Sequence, residues 1–296
     1  MNSNPPGPVL LTGSNGQLGR SLQRVTESGG SGIEWYPTDV SELDITSLDA
    51  VQRTVESISP RAIVNAAAYT AVDKAEDDVE VATRVNVDGP RNLAIAAKER
   101  GIRLVHVSTD YVFDGEGTTP FREDDTPAPQ SVYGRTKLEG EQSIREIGVE
   151  HATIRVSWLF SEFGPCFPMT MRRLAVERPE LRVVADQRGC PTYAGDLADL
   201  IVRMLGTEEW NFDLYHFCSR PETTWHGFAE RAIALCREQE KVLCESVVPI
   251  TTAEFPTRAT RPAFSVLSTE RVMAEFGSIP DWGPGLARSV AAYRSA

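Results

Sequence analysis

Short apolar blocks and longer segments of helical spacing alternate along the first half of the chain. The apolar blocks are continuous, which is typical of strands that are buried on both faces of a parallel sheet. Helices are predicted after Gly16 and at 49–57, and one or two helices at 79–100; strands are predicted at 8–12, 33–37, 62–65 and 103–108. This order predicts an α/β fold with a doubly wound, Rossmann-like parallel sheet.

The alternation of strand-like and helix-like segments is less regular after residue 157, where prolines interrupt it. Further strands are predicted at 181–185 and 244–250, and further helices at 196–205 and 226–240. We interpret residues 1–157 as a dinucleotide-binding domain. Residues 158–296 are predicted to form mainly a smaller substrate-binding domain, with some segments returning to the main sheet.

Composition narrows the range of partners and locations. The net charge of −12 and the lack of a lysine-arginine run disfavour nucleic acid as a partner. No apolar run reaches the roughly 18 residues of a membrane span, and residues 1–8 lack the features of a signal peptide. Five scattered cysteines are typical of reduced thiols. We therefore expect a cytoplasmic protein without membrane partners.

A glycine-rich turn follows the first predicted strand. Its pattern is G-x-x-G-x-x-G, formed by Gly13, Gly16 and Gly19. Gly13 permits a tight turn, Gly16 lets the backbone approach a pyrophosphate, and Gly19 lets the helix lie close to the sheet. The free N–H groups at the start of a helix favour an anion. The position of the turn therefore predicts a dinucleotide site.

Asp39 follows the second predicted strand, 20 residues beyond Gly19. A carboxylate there can accept hydrogen bonds from the adenosine ribose and would repel a 2′-phosphate, which favours NADH. Arg20 could instead meet a 2′-phosphate, and Asp39 could be a simple turn or cap residue. The choice between NADH and NADPH therefore stays open.

Tyr133 and Lys137 form a Y-x-x-x-K pair whose spacing places both side chains on one helix face. A lysine ammonium would stabilise the tyrosine phenolate and lower its pKa, and could also hold the nicotinamide ribose. Thr109 ends a predicted central strand and could bind the substrate oxygen or Tyr133. His106, inside that strand, is interpreted as structural. The four histidines are too scattered to indicate a metal site.

These motifs resemble those of the extended short-chain dehydrogenases, and more narrowly those of the dTDP-4-dehydrorhamnose reductase family. The narrower resemblance covers nearly the whole chain. It rests on residues 12–19, 64–76, 108–113, 132–141, 155–160, 186–192 and 261–267.

The resemblance implies that NADH or NADPH reduces the C4 ketone of dTDP-4-dehydro-L-rhamnose, a dTDP-linked 4-keto-6-deoxyhexose, to dTDP-L-rhamnose. Tyr133 would donate the proton to O4, Lys137 would lower the pKa of Tyr133, and Thr109 would orient both Tyr133 and the ketone. Residues implied to contact the dTDP-sugar are Thr109, Asp110 and Trp158. The resemblance also implies which residues bind the cofactor. They are Gly13, Gly19, Tyr133 and Lys137, with Gly16, Gln17 and Leu18 at the pyrophosphate, Asp39 at the adenosine ribose, Asp44 and Ile45 near the adenine, and Ala68, Tyr69 and Thr70 where the third strand ends against the cofactor.

The chain departs from the family pattern at several positions. Val156 and Phe160 replace a common threonine and a common tyrosine, which leaves the exact sugar open. Some members hold Mg²⁺ at a dimer interface through glutamates, but the matching positions here are Ser21 and Gly195. The resemblance therefore does not extend to that metal or to that mode of dimerisation, and a homodimer is an open possibility.

Three other functions remain compatible with the sequence. The first is a ketoreductase for another dTDP-deoxyhexose in a specialised pathway. The second is a sugar-nucleotide epimerase or dehydratase, which would retain NAD⁺ tightly. The third is a non-catalytic, nucleotide-binding regulatory subunit, although Thr109, Tyr133 and Lys137 are all present.

Arg258 or Arg261 could hold the diphosphate, or could be loop charges in solvent.

Overall fold

The structure is a computed structural model that describes residues 7–29 and 32–292. The strands are β1 Val9–Thr12, β2 Trp35–Thr38, β3 Ala62–Asn65, β4 Arg103–Thr109, β5 His151–Val156, β6 Leu159–Phe160, β7 Glu180–Val184, β8 Arg188–Gly189, β9 Thr192–Tyr193, β10 Leu214–Phe217, β11 Thr223–Thr224 and β12 Ser246–Ile250. The helices are α1 Gln17–Gly29, α2 Leu48–Ile58, α3 Val72–Ala75, α4 Val79–Thr83, α5 Gly89–Arg100, α6 Val132–Ile147, α7 Phe167–Glu177, α8 Ala194–Gly206, α9 Trp225–Arg237, α10 Glu270–Phe276 and α11 Trp282–Ala292.

Six parallel strands form the central sheet in the order β10-β5-β4-β3-β1-β2. The order changes direction between β1 and β3, so the carboxyl ends of these strands flank a topological switch point. Ligands of doubly wound sheets bind at such a point. The predicted α/β fold class is therefore confirmed.

Both faces of the sheet are covered, which explains why its strands are apolar without alternation. One face packs against α1 and α8 through Leu22 and Leu197. The opposite face packs against α2 and α5 through Val51 and Leu93.

The second half of the chain contributes to this sheet and also builds smaller cores. Strand β10 pairs with β5, and α8 packs on α1. Helices α7, α9 and α11 form separate apolar clusters, together with the small sheet of β7 and β12. The division of the chain at residue 157 stays a prediction.

The one or two helices predicted at 79–100 are two, joined by a wide turn. Helix α4 leads into a π-helical turn, Arg84–Asp88, and α5 follows it. The backbone oxygen of Asn86 in this turn would lie 2.1 Å from a Cβ at Gly140 of α6, so the wide turn fits against a glycine. Residues 1–6, part of the N-terminal segment without signal-peptide features, lie outside the described residues. Across the described ranges, no helix combines the length and apolarity that a membrane span requires.

Candidate active site

A cleft of about 840 Å³ lies at the carboxyl ends of β1, β3 and β4. Its walls come from both halves of the chain. The sequence-predicted residues that line it are Gly13, Gly16, Gln17, Leu18, Asp39, Asp44, Ile45, Ala68, Thr70, Thr109, Asp110, Tyr133, Lys137 and Trp158.

The glycine turn has the geometry that its sequence predicts. Gly13 has a φ of 69°, and a Cβ there would lie 2.6 Å from the backbone nitrogen of Ala67. A Cβ at Gly19 would lie 2.4 Å from the Gly13 oxygen, so α1 packs directly on the turn. Helix α1 begins at Gln17, and its first N–H groups have no partner within the helix. The turn therefore presents backbone donors to the cleft, where they can bind an anion.

The Asp39 carboxylate lies beside this turn at the end of β2. It accepts hydrogen bonds from the backbone N–H groups of Asn15, at 3.1 Å, and of Val40, at 2.9 Å. Asp44 and Ile45 line the cleft on the same side. The backbone thus holds a negative charge where the adenosine ribose is expected.

Two predicted cofactor residues, Gly19 and Tyr69, are not in the wall of the cleft. Gly19 lies behind the turn, where its lack of a side chain serves helix packing. The Tyr69 hydroxyl donates to Asp78 Oδ2 at 2.7 Å, and its backbone N–H donates to Asn86 Oδ1 at 2.9 Å. These bonds direct Tyr69 toward α4 and the π-helical turn, unlike its neighbours Ala68 and Thr70, which line the cleft.

Thr109 and Asp110 are both buried where β4 ends. Thr109 Oγ1 donates to Asp110 Oδ1 at 3.0 Å and accepts from the Tyr111 N–H at 3.2 Å. Burial raises the pKa of Asp110 to about 7, although the hydroxyls of Ser265 and Thr109 oppose this shift. Asp110 Oδ2 has no hydrogen-bond partner among the described residues, so an acceptor remains for a ligand.

Tyr133 lies in the first turn of α6, which begins where Ser131 caps the helix by accepting from the Gly134 N–H at 3.1 Å. Burial raises the pKa of Tyr133 to about 12, while the neighbouring Thr109 hydroxyl lowers it and the charge of Asp110 raises it. Lys137 is not among the groups that shift this pKa, so the lowering predicted for Lys137 is not found in this structure. The reason is geometric, because the lysine points toward β4.

Lys137 is buried one turn further along α6. Its Nζ donates to the backbone oxygen of Val107 at 2.7 Å and lies 3.4 Å from His106 Nε2. Burial lowers the pKa of Lys137 to about 8, and the charge of Glu141 opposes this shift. A lysine with this pKa can change its protonation state near neutral pH.

Trp158 has a φ of 49°, a conformation that a large side chain seldom adopts. Its ring stacks on Trp225, with centroids 3.7 Å apart and planes 11° apart. Trp225 lines the cleft but was not predicted from the sequence, because 67 positions separate it from Trp158. Tyr111, also missed, packs edge-on to Tyr133 with centroids 5.5 Å apart. One face of Trp158 is thus already covered by protein.

Both candidate arginines for the diphosphate are engaged elsewhere. Arg258 is paired with Asp77, and Arg261 forms two hydrogen bonds to the Asp73 carboxylate, at 3.0 and 2.7 Å. These pairs connect the loop that contains the arginines to α3 and the turn after it. Neither arginine is presented to the cleft in this structure.

The positions that match the family's Mg²⁺ glutamates lie where α1 meets α8. The Ser21 hydroxyl donates to the Gln17 oxygen at 2.8 Å, and Gly195 packs against the Tyr193 ring. In residues 7–29 and 32–292, no three histidine, cysteine or acidic side chains are grouped to hold a metal.

The parallel sheet, the glycine turn and the Tyr-Lys pair together define an extended short-chain dehydrogenase/reductase. Residues 7–295 match the family model described as "RmlD substrate binding domain". The chain belongs to this family.

Relatives with known names are similar over nearly the whole chain. The dTDP-4-dehydrorhamnose reductase of Aggregatibacter actinomycetemcomitans is 42% identical over 294 residues, covering 96% of this chain and 98% of the relative. The solved dTDP-4-dehydrorhamnose reductase of Bacillus anthracis str. Ames, in complex with NADP, is 37% identical with a TM-score of 0.90, covering 97% and 99%. The structure from Clostridium acetobutylicum ATCC 824 also has 37% identity and a TM-score of 0.90, covering 96% and 98%.

Proposed function

We propose that this protein uses NADH or NADPH to reduce the C4 ketone of dTDP-4-dehydro-L-rhamnose to dTDP-L-rhamnose. The main supporting observation is that a single cleft contains the glycine turn, Thr109, Tyr133 and Lys137. The names of the relatives, whose lengths this chain covers almost completely, support the choice of substrate.

The described residues fit a dinucleotide. Backbone N–H groups at Gln17 and Leu18, in the first turn of α1, would hold the pyrophosphate. Gly16, whose own N–H donates to the Gly13 oxygen at 3.1 Å, would let the chain approach it. Asp39 would accept from the adenosine ribose, with Asp44 and Ile45 beside the adenine. When bound, the nicotinamide supplies the hydride for the ketone carbon.

Tyr133 is the proposed proton donor to the ketone oxygen. A phenol with a raised pKa is fully protonated at neutral pH, so the proton is present when it is needed. The Thr109 hydroxyl has one hydrogen, which it can direct to Asp110 or to Tyr133; in the second arrangement it lowers the pKa of Tyr133, which favours release of the proton. The Lys137 ammonium, held against the Val107 carbonyl at 2.7 Å, would bind the nicotinamide ribose.

Asp110 and Trp158 are the proposed contacts of the nucleotide sugar. The buried Oδ2 of Asp110, which has no hydrogen-bond partner among the described residues, can accept from a sugar hydroxyl. Because Trp225 covers one face of Trp158, contact with the sugar would use the remaining face or the ring edge. The homodimer and the cytoplasmic location stay predictions.

The test is oxidation of NADH and NADPH by the purified protein with enzymatically prepared dTDP-4-dehydro-L-rhamnose, with the product identified by NMR. For Tyr133→Phe we expect kcat to fall by about two to four orders of magnitude with cofactor affinity retained. Tyr36→Phe, an exposed tyrosine on β2, is the matched control and should leave kcat unchanged.

Two outcomes would count against the proposal. Near-normal turnover by Tyr133→Phe would exclude this residue as the acid. NAD⁺ that stays bound through purification, together with interconversion of sugars without net cofactor oxidation, would indicate an epimerase instead.

A further inference from the structure

Buried polar side chains connect β1 to Lys137. Thr12 Oγ1 donates to Asn65 Oδ1 at 2.7 Å, and the Ala67 N–H donates to the same oxygen at 3.1 Å. A backbone N–H can only donate, so these contacts fix which end of the Asn65 amide is the oxygen. Its nitrogen, Nδ2, therefore faces His106 Nδ1 at 3.0 Å.

This arrangement determines the tautomer of His106. The Asn65 NH₂ group has no acceptor capacity, so His106 Nδ1 must be the acceptor of that hydrogen bond. Burial lowers the pKa of His106 well below its usual range, so the ring is neutral. A neutral imidazole with an accepting Nδ1 carries its hydrogen on Nε2. That N–H lies 3.4 Å from Lys137 Nζ.

An imidazole N–H and a lysine ammonium are both donors and cannot hydrogen-bond to each other. We propose that His106, held in one tautomer by Asn65, is a positioning residue. It directs the Lys137 ammonium to the Val107 carbonyl and makes that ammonium easier to deprotonate. This inference rests on the role of Lys137 in the proposed function. It gives a role in the reaction to a histidine that the sequence indicated to be structural.

The other titratable and charged groups around Lys137 each have a defined effect on its pKa. On α6, Glu141 favours the ammonium, and Tyr133 is neutral at physiological pH. On β5, Arg155 is paired with Glu141 and offsets part of its charge. Removing the His106 N–H should therefore raise the pKa of Lys137, because one of the influences against the ammonium is lost.

The pKa of Lys137 can be measured without turnover. Lys137 is buried, whereas the three other lysines, Lys74, Lys98 and Lys241, are exposed. In protein labelled with ¹³C at lysine Cε, the Lys137 signal would be assigned by its loss in Lys137→Arg. The exposed lysines serve as internal references for the pH titration.

Two substitutions separate the two nitrogens of His106. In His106→Asn, the amide oxygen can replace Nδ1 as the acceptor for Asn65, but no donor faces Lys137. In His106→Gln, the longer amide can place an N–H near the position of Nε2. We expect His106→Asn to raise the pKa of Lys137 by roughly one unit, and His106→Gln to shift it much less.

The control is His216→Asn, which alters another fully buried histidine of the sheet, on β10. It should leave the Lys137 titration unchanged. The proposal is overturned if His106→Asn leaves that titration unchanged, or if His106→Gln or His216→Asn shifts it equally. Should His106→Asn not fold, the ¹⁵N spectrum of the wild-type histidines decides, because an Nδ1–H tautomer for His106 would refute the proposal.

Turnover measurements keep this inference distinct from the proposed function. If the wild type reduces the ketosugar, the alkaline limb of the pH profile of kcat/KM should move to higher pH in His106→Asn, by the same amount as the Lys137 titration. If the wild type shows no turnover while the NMR shift is present, the proposed function fails and the positioning of Lys137 stands. A merely structural role would lower thermal stability without moving either pH profile.

Discussion

Removing the charge of Glu141 should destabilise the helix that carries Tyr133 and Lys137. Glu141 and Arg155 form a buried ion pair whose side chains are only 5% and 3% exposed. Arg155 Nε bonds both carboxylate oxygens, at 3.0 and 3.2 Å, and Nη2 bonds Oε2 at 2.7 Å. In Glu141→Gln the shape is kept, but the guanidinium loses its counter-charge.

The cost follows from this burial. An unpaired charge in the interior destabilises a protein by about 3 to 5 kcal/mol, because Coulomb attraction no longer offsets the lost hydration. For a chain of this length, that cost corresponds to a fall in Tm of roughly 5 to 8 °C. The same substitution removes the charge that raises the pKa of Lys137, so the alkaline limb of activity should move to lower pH.

Urea unfolding and calorimetry would measure the change in the free energy of unfolding. Glu177→Gln is the control, since Glu177 pairs with Arg173 on the surface at 3.2 Å and the pair contributes about 0.5 kcal/mol or less. Replacing the buried pair by Glu141→Leu with Arg155→Met should recover most of the lost stability. Equal costs for Glu141→Gln and Glu177→Gln would refute the reasoning.

Two further predictions concern the two ends of the cleft. For Asp39→Ser, we expect kcat/KM for NADPH relative to NADH to rise by roughly tenfold, because a negative charge near the 2′-phosphate is removed; an unchanged ratio would exclude Asp39 from cofactor choice. For Gly189→Ala, a Cβ would lie 2.5 Å from Trp158 Cε2, so KM for the nucleotide sugar should rise while the cofactor Kd stays the same. Gly206→Ala, which meets no atom within 4 Å, is the control, and an equal effect there would remove Trp158 from the explanation.

Local sequence spacing was sufficient for the parts of the site that depend on one segment of chain. The turn at Gly13 could be predicted because its positive φ and its contact with Ala67 exclude most side chains. The Tyr133–Lys137 pair could be predicted because helical periodicity places residues four apart on one face. Continuous apolar blocks likewise predicted the buried parallel sheet, because such strands are covered on both faces.

Contacts between distant segments were decided only by the tertiary structure. Trp225 reaches Trp158, and β10 pairs with β5, because packing brings together positions whose separation in sequence carries no periodic signal. The pKa values of Tyr133 and Lys137 likewise depend on contacts between distant segments.

The expected effect of Lys137 on Tyr133 was reasonable from spacing alone. Burial instead raised the pKa of the tyrosine, and the lysine was directed toward His106 and Val107. The sequence alone determined which residues share a helix face or a turn. Only the folded chain decided which of them are desolvated and which partner each one meets, because desolvation and hydrogen bonding depend on every segment packed around a group.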